Sequence, residues 1–334
     1  MRQFFRNLGR SVLAVVQGNG RQDSPGKAAG TGDDSNAPGI RLAGVNLGPR
    51  PWLVLGGGGL RGLGHLGGWK ALLEGGFVPA GILGTSIGAL VGAGLASGRP
   101  LGELVEQALE LKRGDLVRVY RRALWVNGIR ASSVLRGDVL RAYVAEVLPA
   151  EGWSGLELPL QVNAVELGSG RTHWFGPGAR TDASLLDAVL ASASLPVLYP
   201  PVRLPDELYY IDGGAGDALP LERAWEVGAT GIVALDVGSG EGEAADGAKA
   251  VESGLVGVHQ RVFSIMSGRR RRESIANWKG PPLIYIRPRL DGYGTFDFQH
   301  LDYFLEEGER AVREALEATG ASDPVLSAAD PSPP

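Results

Sequence analysis

Apolar residues in this chain fall into short runs punctuated by glycine and proline, and their spacing switches between two periods. Pro51-Trp52-Leu53-Val54-Leu55 is an unbroken run of strand length that stops at four glycines. Leu63, Leu66, Trp69, Leu72 and Leu73 then recur at helical spacing and end at Gly75-Gly76. Ala80–Leu83 predicts a second short strand and Ile87–Ala96 a second helix. Helical patterns follow over Leu101–Lys112, Ser133–Leu148, Ala183–Ala193, Pro220–Val227, Val251–Met266 and His300–Ala318. Leu158–Leu167 and Arg171–Phe175 predict a hairpin that turns at Gly168-Ser169-Gly170. Further strands are expected near Leu208–Ile211, Gly231–Val237 and Leu283–Ile286. Strands alternating with helices argue for an α/β domain on a mixed, largely parallel sheet.

The two ends read differently. Residues 18–50 and the tail from Gly320 are rich in Gly, Asp, Ser, Asn or Pro and lack periodicity. The expected layout is a flexible arm over 1–50, a folded domain over 51–318 and a disordered tail over 319–334. Phe4, Phe5 and Leu8, interleaved with Arg2, Arg6 and Arg10, could form a weak interfacial helix in that arm. Gly81–Gly98 carries no charge over 18 residues. As a helix it would reach only about 27 Å, the low edge of a membrane span, so a buried strand–turn–helix is the better reading.

Composition narrows the chemistry. A net charge of −4 gives no global basic field, so nucleic acid is not an expected partner. The absence of cysteine removes disulfides and thiolate chemistry and fits a cytoplasmic, reducing compartment. Four histidines without H-x-H or H-x-x-x-H spacing make a histidine-built metal site improbable. The 52 glycines predict close backbone approaches, and two of their clusters coincide with strand ends.

The first cluster is Gly56-Gly57-Gly58-Gly59-Leu60-Arg61-Gly62, between a strand and a helix. A dinucleotide reading wants an acidic residue at the end of the next strand, and none is there. A P-loop wants Gly-Lys-Ser/Thr, which is also missing. What remains is a nest of backbone N–H groups at a helix start, suited to an anion or an oxyanion. The second cluster is Gly84-Thr85-Ser86-Ile87-Gly88, the G-x-S-x-G pattern. Its glycines permit a sharp strand-to-helix turn that presents the serine as a nucleophile. The pattern is weak alone, and its placement between a predicted strand and helix strengthens it.

Such a serine needs a base. His259 and His300 stand late enough for a Ser-His-Asp triad, but neither follows a strand end of the expected kind. Asp212 does, in Tyr209-Tyr210-Ile211-Asp212-Gly213-Gly214, and two glycines let it face a cleft. An unperturbed aspartate, with a pKa near 3.9, is a weak base unless desolvation raises it. Three readings stay open at this point: a Ser–Asp hydrolase, a Ser-His-Asp esterase, and a non-catalytic protein whose glycine loop binds an anion or partner.

Taken in order, Gly57-Gly58-Gly59-Leu60-Arg61-Gly62, Gly84-Thr85-Ser86-Ile87-Gly88 and Asp212-Gly213-Gly214 resemble the patatin-like phospholipase family. Ala191-Ser192-Ala193-Ser194-Leu195-Pro196, followed by Tyr199-Pro200-Pro201, agrees, as does the closing helix around Leu305-Glu306-Glu307-Gly308. The resemblance implies a three-layer α/β/α fold and a lipid or ester substrate, with no metal and no dissociable cofactor. It implies that Ser86 attacks the ester carbonyl and that Asp212 serves as its base. Gly58 and Gly59 would hold the oxyanion, with Gly57 and Gly62 shaping the loop, and Arg61 would bind a phosphate or steady that loop. Gly84 and Gly88 would shape the nucleophile turn, and Gly213 and Gly214 the third motif. The run Arg269-Arg270-Arg271-Arg272 is a candidate for peripheral contact with anionic headgroups, although a solvated helix face is the commoner origin of such a run. No oligomeric state is legible.

Overall fold

In a computed structural model, the described residues are 39–121, 125, 130–239, 244–318 and 325–328. The interfacial helix expected around Phe4 and Phe5, and the remainder of both ends, lie outside them. Eleven strands occur among the described residues. β1 (Arg41–Leu42) and β2 (Val45–Asn46) form a small hairpin, and nine others build one sheet in the order β11-β10-β9-β3-β4-β5-β8-β7, with β6 also paired to β5.

The middle of that sheet is parallel. β3 (Pro51–Leu55) lies between β4 (Gly81–Gly84) and β9 (Gly231–Leu235), and β10 (Leu283–Ile286) follows β9. β5 (Leu160–Glu166) runs parallel to β4, after which the direction reverses. β6 (Thr172–Phe175) and β8 (Tyr209–Asp212) are both antiparallel to β5, and β7 (Val202–Arg203) is antiparallel to β8. The central strands are apolar throughout because both faces are covered. Leu53 and Leu55 enter the larger core with Ile82, Val233 and Leu235, while Trp52 and Val54 enter a second with Leu83, Ile232 and Ala234. Alternate residues thus fill opposite layers, which is the expected α/β/α arrangement.

The helices are α1 (Leu63–Glu74), α2 (Ile87–Ala96), α3 (Leu101–Leu109), α4 (Gly137–Val147), α5 (Leu185–Ser192), α6 (Leu221–Glu226), α7 (Ala244–Glu252), α8 (Gly254–Ala276) and α9 (Leu301–Glu317), beside shorter turns. Gly81–Gly98 is the strand, turn and helix that its glycines predict. α1 and α9 pack closely through glycine: a Cβ at Gly67 would collide with the Leu305 carbonyl, and one at Gly308 with that of Gly64.

Three boundaries differ from the sequence reading. Residues 39–50, expected in the arm, pack as the β1–β2 hairpin, with Leu42 and Leu47 buried and Ile40 N–H donating to Gly48 O at 3.0 Å. Two isolated leucines supply its buried side chains, with Thr230 Oγ1 donating to Leu47 O at 2.8 Å, and so sparse a signal has no period. β11 (Val325–Ala328), expected in the tail, extends the sheet in parallel beside β10. The single helix expected over Val251–Met266 is two, broken where Gly254 takes φ +67°, and the second runs ten residues further.

Candidate active site

The parallel strands deliver their C-terminal ends to one edge of the sheet, the usual location for a crevice in an open α/β sheet. The glycine loop leaves β3 there, and Ser86 leaves the neighbouring β4. Thr85 N–H donates to Leu55 O at 3.1 Å, tying the two exits together. Ser86 occupies φ 56°, ψ −122°, a conformation that non-glycine residues rarely take and that marks a strained turn. Gly88 permits that turn, since a Cβ there would collide with the Leu55 carbonyl; one at Gly84 would collide with the carbonyl of Gly88.

The Ser86 hydroxyl donates to Asp212 Oδ2 at 2.6 Å, and both residues are buried. Asp212 Oδ1 accepts the Gly214 N–H at 2.7 Å, and the Asp212 N–H donates to Ser194 O at 2.9 Å. Burial pushes the Asp212 carboxyl up to about 7, against the opposing pull of its hydrogen bonds from Ser86 and Gly214. Gly213 stands against Asn163 of β5, where a Cβ would strike the side-chain oxygen.

Gly57, Gly58 and Gly59 line the same small cavity as Ser86 and Asp212. The Gly57 N–H donates to Ala218 O at 3.0 Å, whereas those of Gly58 and Gly59 meet no acceptor among the described residues. Gly59 has φ +64°, and a Cβ at Gly58 would collide with the Val237 carbonyl. Gly62 packs directly on Ile87, the residue after the serine, leaving no room for a side chain. Arg61 is buried and directs its guanidinium at the protein: Nε donates to Gly58 O at 3.1 Å, Nη1 to Tyr293 O at 3.3 Å and Nη2 to Ser239 Oγ at 3.2 Å. Of its two expected roles, steadying the loop fits this geometry.

Neither histidine of the triad alternative lines this cavity. His300 is half-exposed with Nδ1 2.9 Å from Asp297 Oδ1, and His259 lies on α8. Reading the residues alone missed several supports. Ser192 Oγ accepts the Ser86 N–H at 3.0 Å, so the Ala191–Pro196 segment braces the strained residue directly. Fully buried His65 approaches Gly56 O with Nε2 at 2.8 Å; burial lowers its pKa to about 4, so the ring stays neutral behind the loop. Asp236, just past β9, is buried with Arg271 Nε at 3.1 Å and the Tyr285 hydroxyl at 2.8 Å. Arg271, Arg287 and the donated hydrogen bonds hold its carboxyl below the usual range despite its burial. One signal for this last cluster was available: a carboxylate directly after an apolar strand, at the edge where the other two strand exits lie.

The sequence profile described as patatin-like phospholipase matches residues 53–225, more than half of the chain. The chain belongs to this family. An uncharacterized NTE family protein of Mycobacterium bovis is 33% identical over 200 residues, covering 59% of this patatin-like chain and 52% of its own length. Lysophospholipase NTE1 of Coccidioides immitis is 30% identical over 301 residues, or 83% of this chain and 18% of the fungal protein. The patatin-like chain thus spans about half the length of the mycobacterial relative. The crystal structure of VipD from Legionella pneumophila superposes with a TM-score of 0.51 at 16% identity, covering 81% of this chain and 67% of that one; it shares the fold.

Proposed function

We propose that this patatin-like protein is a lipid acyl hydrolase that cleaves carboxylic esters through a Ser86–Asp212 dyad. The observation that carries the proposal is the 2.6 Å hydrogen bond from Ser86 Oγ to a buried carboxylate, beside two backbone N–H groups with no acceptor among the described residues. A carboxyl raised to about 7 is ionised in useful amount near neutral pH and is far more basic than a solvated aspartate.

Ionised Asp212 takes the Ser86 proton as Oγ bonds to the ester carbonyl carbon and the carbonyl electron pair moves onto oxygen. The Gly58 and Gly59 N–H groups stabilise that oxyanion. Its collapse breaks the bond to the alcohol, which leaves with the proton held on Asp212. Water then gives a proton to Asp212 and attacks the acyl carbon. Collapse of the second oxyanion frees the carboxylic acid, and Ser86 recovers its proton. Membership of the patatin-like phospholipase family supports a lipid ester as substrate. The lysophospholipase name of the fungal relative supports single-chain phospholipids as the first class to assay.

Ser86→Ala and Asp212→Asn should each abolish ester hydrolysis in a folded protein, while His259→Ala and His300→Ala should not. A fluorophosphonate probe should label the wild type and leave Ser86→Ala unlabelled. Substantial turnover by Asp212→Asn would overturn the dyad.

A further inference from the structure

Helix α8 carries apolar side chains on its outer face as well as its inner one. Gln260, Phe263, Ser264, Ser267 and Arg271 recur at helical spacing and line the cavity that contains Ser86 and Asp212, and Val256 packs on the core. The opposite stripe, Leu255, Val258, Val262, Ile265 and Met266, is apolar and exposed, Leu255 at 81% and Met266 at 66%. Six of the fourteen exposed large hydrophobic residues among the described residues fall within 251–266. A globular helix ordinarily turns its apolar stripe inward, so a clustered apolar face directed at water marks an interaction surface. The stripe then changes character along the helix: Arg269, Arg270 and Arg272 follow it and are exposed, with Glu273 paired to Arg269 at 3.2 Å, which leaves the stretch basic overall.

We propose that this outer face of α8 docks the protein on an anionic lipid bilayer, with Leu255, Val262 and Met266 entering the headgroup boundary and the arginines meeting anionic headgroups. Charge complementarity selects the lipid surface over a second copy of the chain, because the apolar stripe leads directly into a basic one. The helix is also a wall of the catalytic cavity, a small cleft of about 40 Å³ that opens in part to solvent. The surface that touches lipid would therefore belong to the same helix that lines the cleft. The purpose of the docking rests on the lipid-hydrolase reading; its occurrence is measured separately.

The test is co-sedimentation with vesicles of equal parts phosphatidylcholine and phosphatidylglycerol, and with phosphatidylcholine alone. The wild type should partition onto the anionic vesicles. The triple variant Leu255→Glu/Val262→Glu/Met266→Glu should lose at least about tenfold in partitioning, and Arg269→Glu/Arg270→Glu should lose the preference for anionic vesicles. All substituted positions are exposed, and an unchanged thermal melt with undiminished hydrolysis of a water-soluble short-chain ester confirms folding. Equal partitioning of the triple variant and the wild type would overturn the proposal. So would a wild type that ignores both vesicles, or one that self-associates through this face without binding lipid. Vesicle binding by a wild type that cleaves no ester would support the docking face and overturn the hydrolase reading.

Discussion

Ser86 Oγ and Asp212 Oδ2 are 2.6 Å apart although 126 residues separate them in sequence. They arrive from opposite directions. β4 delivers Ser86 at the C-terminal end of a parallel strand, where Gly84 is paired with Val162. β8 runs against β5 and ends with Asp212 beside Ala164, so the chain exits at nearly the same level as the serine. The reversal at β5 therefore brings a late carboxylate back to an early serine and buries it there. Burial in turn raises the basicity of that carboxylate.

Replacement of Asp212 by Asn keeps the shape of the site and removes the proposed base. Turnover of a soluble ester should fall roughly a hundred- to ten-thousand-fold, with little change in KM. Steady-state kinetics beside a circular-dichroism melt decides this; a rise in KM with kcat unchanged would point to binding instead.

Because Asp212 must be ionised to accept a proton, kcat/KM should rise with pH and level off above about 7. Stability should show the opposite slope from this group. Its folded pKa lies above its unfolded value, so the folded state holds the extra proton and Asp212 destabilises progressively between about pH 4 and 7. His65, lowered to about 4, works against it: the unfolded state holds more protons between about pH 4 and 6.5, so its contribution grows with pH there. Urea unfolding of Asp212→Asn should thus show stability rising more steeply over pH 4–6.5 than in the wild type.

Gly88→Ala places a methyl group against the Leu55 carbonyl and forces α2 away from β3. Destabilisation of about 1–3 kcal/mol is expected, with activity lost beyond what stability explains. Thermal melting and turnover measured well below the transition separate the two effects.

Asp236→Ala leaves buried Arg271 without its carboxylate and removes the partner of Tyr285. Loss of one member of such a buried pair costs about 3–5 kcal/mol, readable in urea unfolding. Arg271 belongs to α8, so proteolysis within that helix should also become faster.

Ser192→Ala removes the acceptor of the Ser86 N–H while leaving the hydroxyl and carboxylate in place. A cost of about 1–3 kcal/mol for the unsatisfied buried donor is expected, together with lower kcat, as the strained serine loses a brace. Unchanged kcat would show that the β4 exit holds Ser86 unaided.

Local features were legible because their causes are local. The apolar run Pro51–Leu55, the helix Ile87–Ala96 and the glycines around Ser86 follow from chain periodicity and from backbone that tolerates no Cβ. Asp212 was legible as a carboxylate at a strand end followed by two glycines. The short strands β1, β7 and β11 were not, since pairs of residues or a run in a polar tail carry too little pattern to stand out. Nor was the break at Gly254, where one positive φ splits an otherwise continuous helical period.

The sequence by itself determined which groups this protein can present: a serine on a glycine-framed turn, a nest of backbone N–H groups, a carboxylate beside two glycines. Tertiary structure decided what those groups become. The reversal of β8 set the distance between Ser86 and Asp212, and desolvation set the basicity of Asp212. Packing aimed Arg61 at the backbone of its own loop and turned the apolar stripe of α8 toward water. Distance, dielectric environment and exposure depend on neighbours that are remote in the chain, and no local pattern encodes them.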